Sequence, residues 1–256
     1  MAKGNRWTKD ELRLAFHLYC QLPFGKLHSR NAEIIELSRL IRRTPSSVAM
    51  KLVNFASLDP AITRTGRSGL GNASQADREI WQEYHQDWDS LAVESERRLE
   101  RLRGVSEAPS PSETGAESFY GETAPAILEV RRRQRFFRRS VLASYENKCC
   151  MTGITAHALL VASHIVPWNA DAHNRLNPRN GLCLSALHDR AFDRGLITVE
   201  PDLSIRISRV VKRHSKEEFI RTAIIELDGR QIDLPEKFRP SPEFLEFHNR
   251  YVFLGR

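Results

Sequence analysis

The chain of 256 residues holds 39 Lys+Arg against 32 Asp+Glu, a formal net charge of +7, with 41% hydrophobic and 28% charged residues. This is the composition of a globular chain able to bury one large core or two small ones, and no apolar run is long enough to span a bilayer. The four cysteines (Cys20, Cys149, Cys150, Cys183) include no C-x-x-C pair, which argues against a disulfide framework and against a four-cysteine zinc site.

Cys150 and Cys183 are expected to pack as small apolar residues. The start of the chain, Met-Ala-Lys-Gly-Asn-Arg-Trp, lacks the apolar segment of a signal peptide, so the expectation is a cytoplasmic protein. The charge is uneven. Residues 1–88 carry thirteen basic against nine acidic residues, 89–130 four against nine, and 131–256 twenty-two against fourteen. Two basic lobes joined by an acidic segment suit a partner that is a polyanion.

In the first lobe, Thr8 stands three residues before Glu11, a capping-box pattern. Leu12, Ala15, Phe16, Leu18 and Tyr19 follow with helical spacing until Pro23-Phe24-Gly25. A second helix is predicted from about Asn31 to Ile41. A third starts at Thr44-Pro45, a cap followed by an N1 proline, and runs through about Phe55. Three short helices behind a tryptophan, with Arg42-Arg43-Thr44-Pro45-Ser46-Ser47-Val48 opening the third, resemble the Myb-like and homeodomain-like helix-turn-helix modules. That resemblance implies DNA contact by Arg43, Ser46, Ser47 and Lys51. The alternative is a helical bundle that only packs against the rest of the chain or a second subunit.

Residues 60–75, with Gly66, Gly69, Gly71 and Asn72, read as an exposed connector, and a Glu/Arg-rich helix is predicted from about Ser74 to Leu102. Residues 104–126 shift to Ser, Pro, Glu, Thr and Gly and read as a flexible linker. The expected domains are thus 1–103, helical, and 127–256, mixed, an α+β chain overall. The second lobe opens on a helix from Glu129 to Tyr145. Phe136, Phe137, Val141, Leu142 and Tyr145 form an apolar stripe there, and six arginines stand between residues 131 and 139. Arg132, Arg135 and Arg139 are candidates for lying along DNA phosphates, or else belong to a solvated face.

After the turn Cys149-Cys150-Met151-Thr152-Gly153-Ile154, a strand from about Leu159 to Ile165 delivers His164 to its end, and Pro167-Trp168 stops it. A short strand covers Gly181 to Leu184, and Ser185 is placed to cap a helix through about Phe192 that carries His188. His164, Asn180 and His188 stand in the strings Leu-Leu-Val-Ala-Ser-His-Ile, Asn-Gly-Leu-Cys-Leu and Ser-Ala-Leu-His-Asp-Arg-Ala-Phe-Asp-Arg-Gly. Their order resembles the HNH nucleases, whose fold is the ββα-metal motif, and Cys149 to Val199 looks closest to the branch found in bacterial restriction-type endonucleases. That branch also carries an Arg/Gln/Phe-rich helix just before the motif.

The resemblance implies a metal-dependent DNA endonuclease. His164 would be the general base, Asn180 would brace the loop, and His188 would ligate one Mg²⁺ or Mn²⁺. Many HNH nucleases have an aspartate directly before the base histidine. Here it is Ser163, a poor ligand for a hard cation, so Asp193 is the candidate second ligand, with hydrogen bonding to a turn or pairing with Arg194 as its alternative. Arg175 and Arg190, with Arg179 and Arg194, surround the motif as candidates for holding phosphate. No structural zinc is expected. Double-stranded DNA is the implied partner and no membrane is, with a homodimer left open. Restriction of foreign DNA is the implied role, against a DNA-binding regulator with an inactive nuclease-like domain, or a homing-type nuclease. Strands at Ser204–Val210 and Ala223–Leu227, and a closing helix from Pro242 to about Phe253, complete the expectation.

Overall fold

Capping governs where the first helices begin. In the computed structural model, which describes residues 6–64, 71–104 and 124–255, α1 (Lys9–Gln21) opens on the expected capping box. The Thr8 hydroxyl accepts from Glu11 N at 3.3 Å and the Glu11 carboxylate accepts from Thr8 N at 2.7 Å. Asn31 caps α2 (Ala32–Leu40), and Thr44 caps α3 (Pro45–Ala56) with Pro45 in its first turn. A single turn, α4 (Pro60–Thr63), is capped by Asp59; four residues carry no periodicity by which a sequence could announce it.

The single helix expected over 74–102 is two, α5 (Gln75–Gln86) and α6 (Trp88–Arg103). Asp87 leaves helical geometry (φ −148°, ψ 81°), and its carboxylate caps Ser90 N at 3.0 Å. The break swings Trp88 inward, 1% exposed, against Phe16 and Tyr84. Gly104, in the left-handed region at φ 68°, ends α6. The rest of the expected linker to residue 123, and Gly66 and Gly69 of the connector, lie outside the described residues. Residues 124–126 belong to the next helix, α7 (Ala124–Ser144).

That helix divides its contacts between the two halves of the chain. Phe136 stacks on His17 of α1 with ring centroids 4.8 Å apart. Its neighbour Phe137 and, one turn on, Val141 face the opposite way, toward Gly181. The hydrophobic core is consequently continuous from α1, α3, α5 and α6 through α7 into the C-terminal half. Lys237 reinforces this junction. Its ammonium, fully buried, donates to the carbonyls of Tyr19, Cys20 and Leu22 at 2.5, 3.1 and 2.7 Å, occupying the C-terminal end of α1 where carbonyls lack helical partners. All four cysteines are free and buried.

In the C-terminal half, the turn after α7 is closed by Gly153 N to Cys149 O (2.8 Å) and joined to the sheet by Cys150 N to Cys183 O (2.8 Å). Strands β1 (Leu160–His164) and β2 (Gly181–Ser185) pair antiparallel, with Leu160 opposite Ser185 and His164 opposite Gly181. Helix α8 (Ala186–Asp193) follows β2 directly and packs on both strands. A second hairpin, β3 (Ile197–Val199) with β4 (Ile205–Ile207), comes next. Then come α9 (Arg209–Lys212), α10 (Glu218–Ala223) and α11 (Pro242–Tyr251).

Two expectations fail here. The strand predicted to Val210 stops at Ile207, because Ser208 turns the chain and its hydroxyl caps Val210 N at 3.1 Å. The segment 223–227 is no strand. It ends α10 and forms a 3-10 turn, Ile225–Leu227, while Gly229 and Arg230 bond to Ile205 instead. No helix among the described residues is long and apolar enough to cross a membrane.

Candidate active site

Strand β1 ends at His164 because Pro167, with no N–H to give, cannot continue a ladder. The His164 ring lies flat on Phe137, centroids 3.7 Å apart and planes 8° from parallel, with the Trp168 indole edge-on at 5.5 Å. Its Nε2–H donates to the Arg175 carbonyl at 2.9 Å. That bond fixes the tautomer, leaving Nδ1 as the acceptor. Nδ1 has no hydrogen-bond partner among the described residues. Burial pushes the imidazole down to about 4, against a smaller upward pull from the Arg175 carbonyl, so it is neutral at physiological pH.

Asn180 sits 1% exposed beneath the loop that joins the strands. Its Oδ1 accepts from Val166 N at 2.8 Å, and its Nδ2 donates to the carbonyls of Val166 and Asn174, both at 3.2 Å. Three bonds from one amide pin both ends of a fourteen-residue span and thereby the position of His164. Asp171 closes the same loop by accepting from His173 N, Asn174 N and Asn174 Nδ2. Arg175 is part of this frame as well. Its Nε donates to Trp168 O at 2.8 Å and its guanidinium lies 5.3 Å from the Trp168 ring centre.

His188, on the first turn of α8, is 3% exposed. The Ser185 hydroxyl, which makes no cap to the helix, bonds its Nδ1 at 2.7 Å, and its Nε2 bonds the Ala223 carbonyl at 2.9 Å. Burial lowers its pKa, the Ala223 carbonyl opposing. Beside it, burial raises the Asp189 carboxyl, with Ser163 and Arg190 pulling the other way. Asp193, exposed as a residue, is raised to about 6 by partial desolvation of its carboxyl and then by the charge of Asp189. The Ser163 hydroxyl is buried without a hydrogen-bond partner among the described residues.

This donor set, an imidazole nitrogen and two carboxylates that repel one another, suits a hard divalent cation in chemistry. In arrangement it fits in part. Among the described residues no three His, Cys, Asp or Glu side chains converge on one point, and a cation on His188 has to displace either the Ala223 carbonyl from Nε2 or the Ser185 hydroxyl from Nδ1.

The other candidates are dispersed. Arg190 is exposed on α8 alongside the two aspartates. The α7 arginines turn toward carboxylates within the chain. Arg132 pairs with Glu100 at 2.6 Å, Arg135 with Glu96 and Glu100, and Arg139 with Glu33 of α2. The acidic residues of α6 thus answer the basic face of α7. In the first lobe, Arg43 is bound to Glu11 and Lys51 to Asp77, while Ser46 is exposed at the start of α3 and Ser47 half-buried. Phe137, Ser185 and the Arg175 and Ala223 carbonyls escaped sequence reading as partners of the histidines. Backbone acceptors have no sequence signature, and Phe137 is indistinguishable from any other member of an apolar stripe.

The hairpin thus carries a neutral, loop-braced histidine, and the helix that follows it carries a second. The model of the HNH endonuclease family matches residues 149–200, which takes in β1, the braced loop, β2 and α8. This stretch is an HNH endonuclease domain, and it points to nuclease activity. No curated protein matches the chain.

Proposed function

We propose that the chain is a metal-dependent DNA endonuclease. The observation that carries this reading is His164, whose Nε2 is tied to the Arg175 carbonyl and whose Nδ1 has no partner among the described residues. A water beside Nδ1 gives up its proton to the imidazole while its oxygen attacks phosphorus in line. The bond from phosphorus to the 3′ oxygen breaks, that oxygen takes a proton from solvent, and 5′-phosphate and 3′-hydroxyl ends remain. When bound, Mg²⁺ or Mn²⁺ on His188 and Asp193 would supply charge stabilisation at the phosphate and the leaving oxygen. Asn180 holds the loop that sets the direction of His164. Arg190, with Arg194 beside it, orients the phosphate, and Arg175 keeps the loop in place.

The β1–β2 hairpin with α8 supports the ββα-metal reading of residues 127–256. The N-terminal helices, residues 1–103, are the proposed duplex-gripping module, with Ser46 and Ser47 presented at the start of α3 and Arg43 and Lys51 beside them. The proposed role is restriction of foreign DNA in a prokaryotic cytoplasm. One such site cuts one strand at a time, so double-strand cleavage would favour a homodimer.

A second reading, a DNA-binding regulator without activity, is favoured by Ser163 and by the engagement of both His188 nitrogens. Supercoiled plasmid incubated with Mg²⁺ or Mn²⁺ separates the two. Nicking that disappears in His164→Ala and in EDTA supports the nuclease, and tight binding without nicking overturns it in favour of the regulator.

A further inference from the structure

A cavity of about 510 Å³ opens in the N-terminal half, lined among the described residues by side chains between Arg6 and Ala76 and by none of the nuclease motif. Its size falls within the roughly 300–1,000 Å³ of small-molecule sites. One wall is the Trp7 indole. The others bring together Arg6, Arg43 and Lys51 with the first turn of α3, at Ser47, and the cap of α5, at Ser74. Leu12 and Ala76 supply apolar surface.

The cations are held in place before any ligand arrives. Arg43 donates from Nε and Nη2 to the Glu11 carboxylate at 3.1 and 2.9 Å and from Nη2 to Arg6 O at 2.8 Å, which sets its guanidinium 4.8 Å from the Trp7 ring centre. Lys51 Nζ bonds both oxygens of the fully buried Asp77 at 2.8 and 3.0 Å and lies 5.7 Å from the same ring. Both side chains are largely covered and lie over the Trp7 ring. Three cations face two carboxylates around the opening, and the first turns of two twelve-residue helices add the partial positive charge of their amide groups.

An aromatic wall overlain by a guanidinium plane suits a flat heterocycle, and the converging cations and amides suit an anion attached to it. We infer that this cavity is a nucleotide site. The base packs on the outer face of the Arg43 guanidinium, whose inner face is held on Trp7, and the phosphate sits at Lys51, Ser47 and the start of α5. The nucleotide comes either free in solution or as one unit of a DNA strand presented to the helical half. The inference stands apart from the nuclease reading, since a chain that cut nothing would still bind.

Calorimetric titration of the intact protein tests it, with inorganic phosphate, the four 2′-deoxynucleoside 5′-monophosphates, a twelve-nucleotide strand and its duplex as probes. At least one nucleotide probe is expected to bind at one per chain and more tightly than phosphate. Trp7→Leu and Ser47→Asp are each expected to weaken it by about tenfold or more. A carboxylate on the first turn of α3 favours the helix, so Ser47→Asp keeps the fold, which an unchanged melting temperature verifies. Binding of a monophosphate identifies the free nucleotide as the ligand, and binding of the strand or duplex alone identifies a nucleotide within DNA. The inference is overturned if no nucleotide probe binds, if phosphate binds as well as the nucleotides do, or if both variants bind like the parent chain.

Discussion

Phe137 and His164 lie face to face, ring centroids 3.7 Å apart and planes within 8° of parallel, so a helix that precedes the nuclease motif supplies the plate on which its proposed base rests. Replacing Phe137 with leucine keeps apolar volume but removes the plate. The imidazole then gains water and freedom to tilt. Because burial is what drives its pKa to about 4, the Phe137→Leu ring should titrate nearer the ordinary histidine value of about 6.5. Plasmid nicking should slow with little change in DNA affinity, within the roughly 10²–10⁴-fold that loss of a general base commands. Proton NMR titration of the His164 ring reads the first effect and single-turnover nicking the second. An unmoved titration would show that the ring is positioned by the Arg175 carbonyl alone.

Gly181 makes that closeness affordable in space. A Cβ there would stand 2.4 Å from Val141 Cγ2 and 3.0 Å from Phe137 Cζ. Gly181→Ala therefore pushes α7 away from the hairpin, a kind of overpacking that costs about 1–3 kcal/mol. Val141→Ala opens room for the new methyl, so the double variant should recover part of the loss even though Val141→Ala alone destabilises. Urea denaturation of the four proteins gives the coupling. Strictly additive losses would mean that the hairpin is free to slide along α7.

These two contacts mark the boundary of what the sequence discloses. Thr8 with Glu11, Thr44 with Pro45, and the strings around His164 and His188 act over a few residues, so caps, helices and the order strand, loop, strand, helix can be read directly. Asn180 reaches Val166 and Asn174 across a loop of moderate length, which family resemblance could suggest and only coordinates could trace. The arginines of α7 show where local reading ends. Six positive charges in one helix invite a polyanion, yet Arg132, Arg135 and Arg139 find Glu100, Glu96 and Glu33 thirty to a hundred residues away. A charge run gives the sign of its partner and says nothing about whether that partner is external. Asp87 misleads for the opposite reason. An aspartate inside a Glu/Arg-rich stretch looks like one more helical surface residue, and tertiary burial of Trp88 makes it a cap.

The acidic answer to α7 should appear in the pH dependence of stability. Glu96 is 6% exposed, bonded by His17 Nε2 at 2.8 Å and paired with Arg135. Burial by itself would raise its carboxyl. The hydrogen bond and charge of His17, followed by the charge of Arg135, outweigh that and hold it at about 2, below the ordinary 4.5. A depressed pKa in the folded state means that the unfolded chain takes up the proton first. The contribution of Glu96 is thus complete above pH 4.5 and is lost as pH falls from there to about 2, on the order of 3 kcal/mol over the window. Other carboxylates titrate in the same range, so the comparison that isolates this one is with Glu96→Gln. Urea midpoints measured between pH 6 and pH 2 should fall more steeply for the parent chain than for the variant, and the two curves should converge at the acid end. Parallel curves would mean that Glu96 titrates alike in the folded and unfolded chains, and that the contact with His17 and Arg135 carries no net charge stabilisation across the α1–α6–α7 junction.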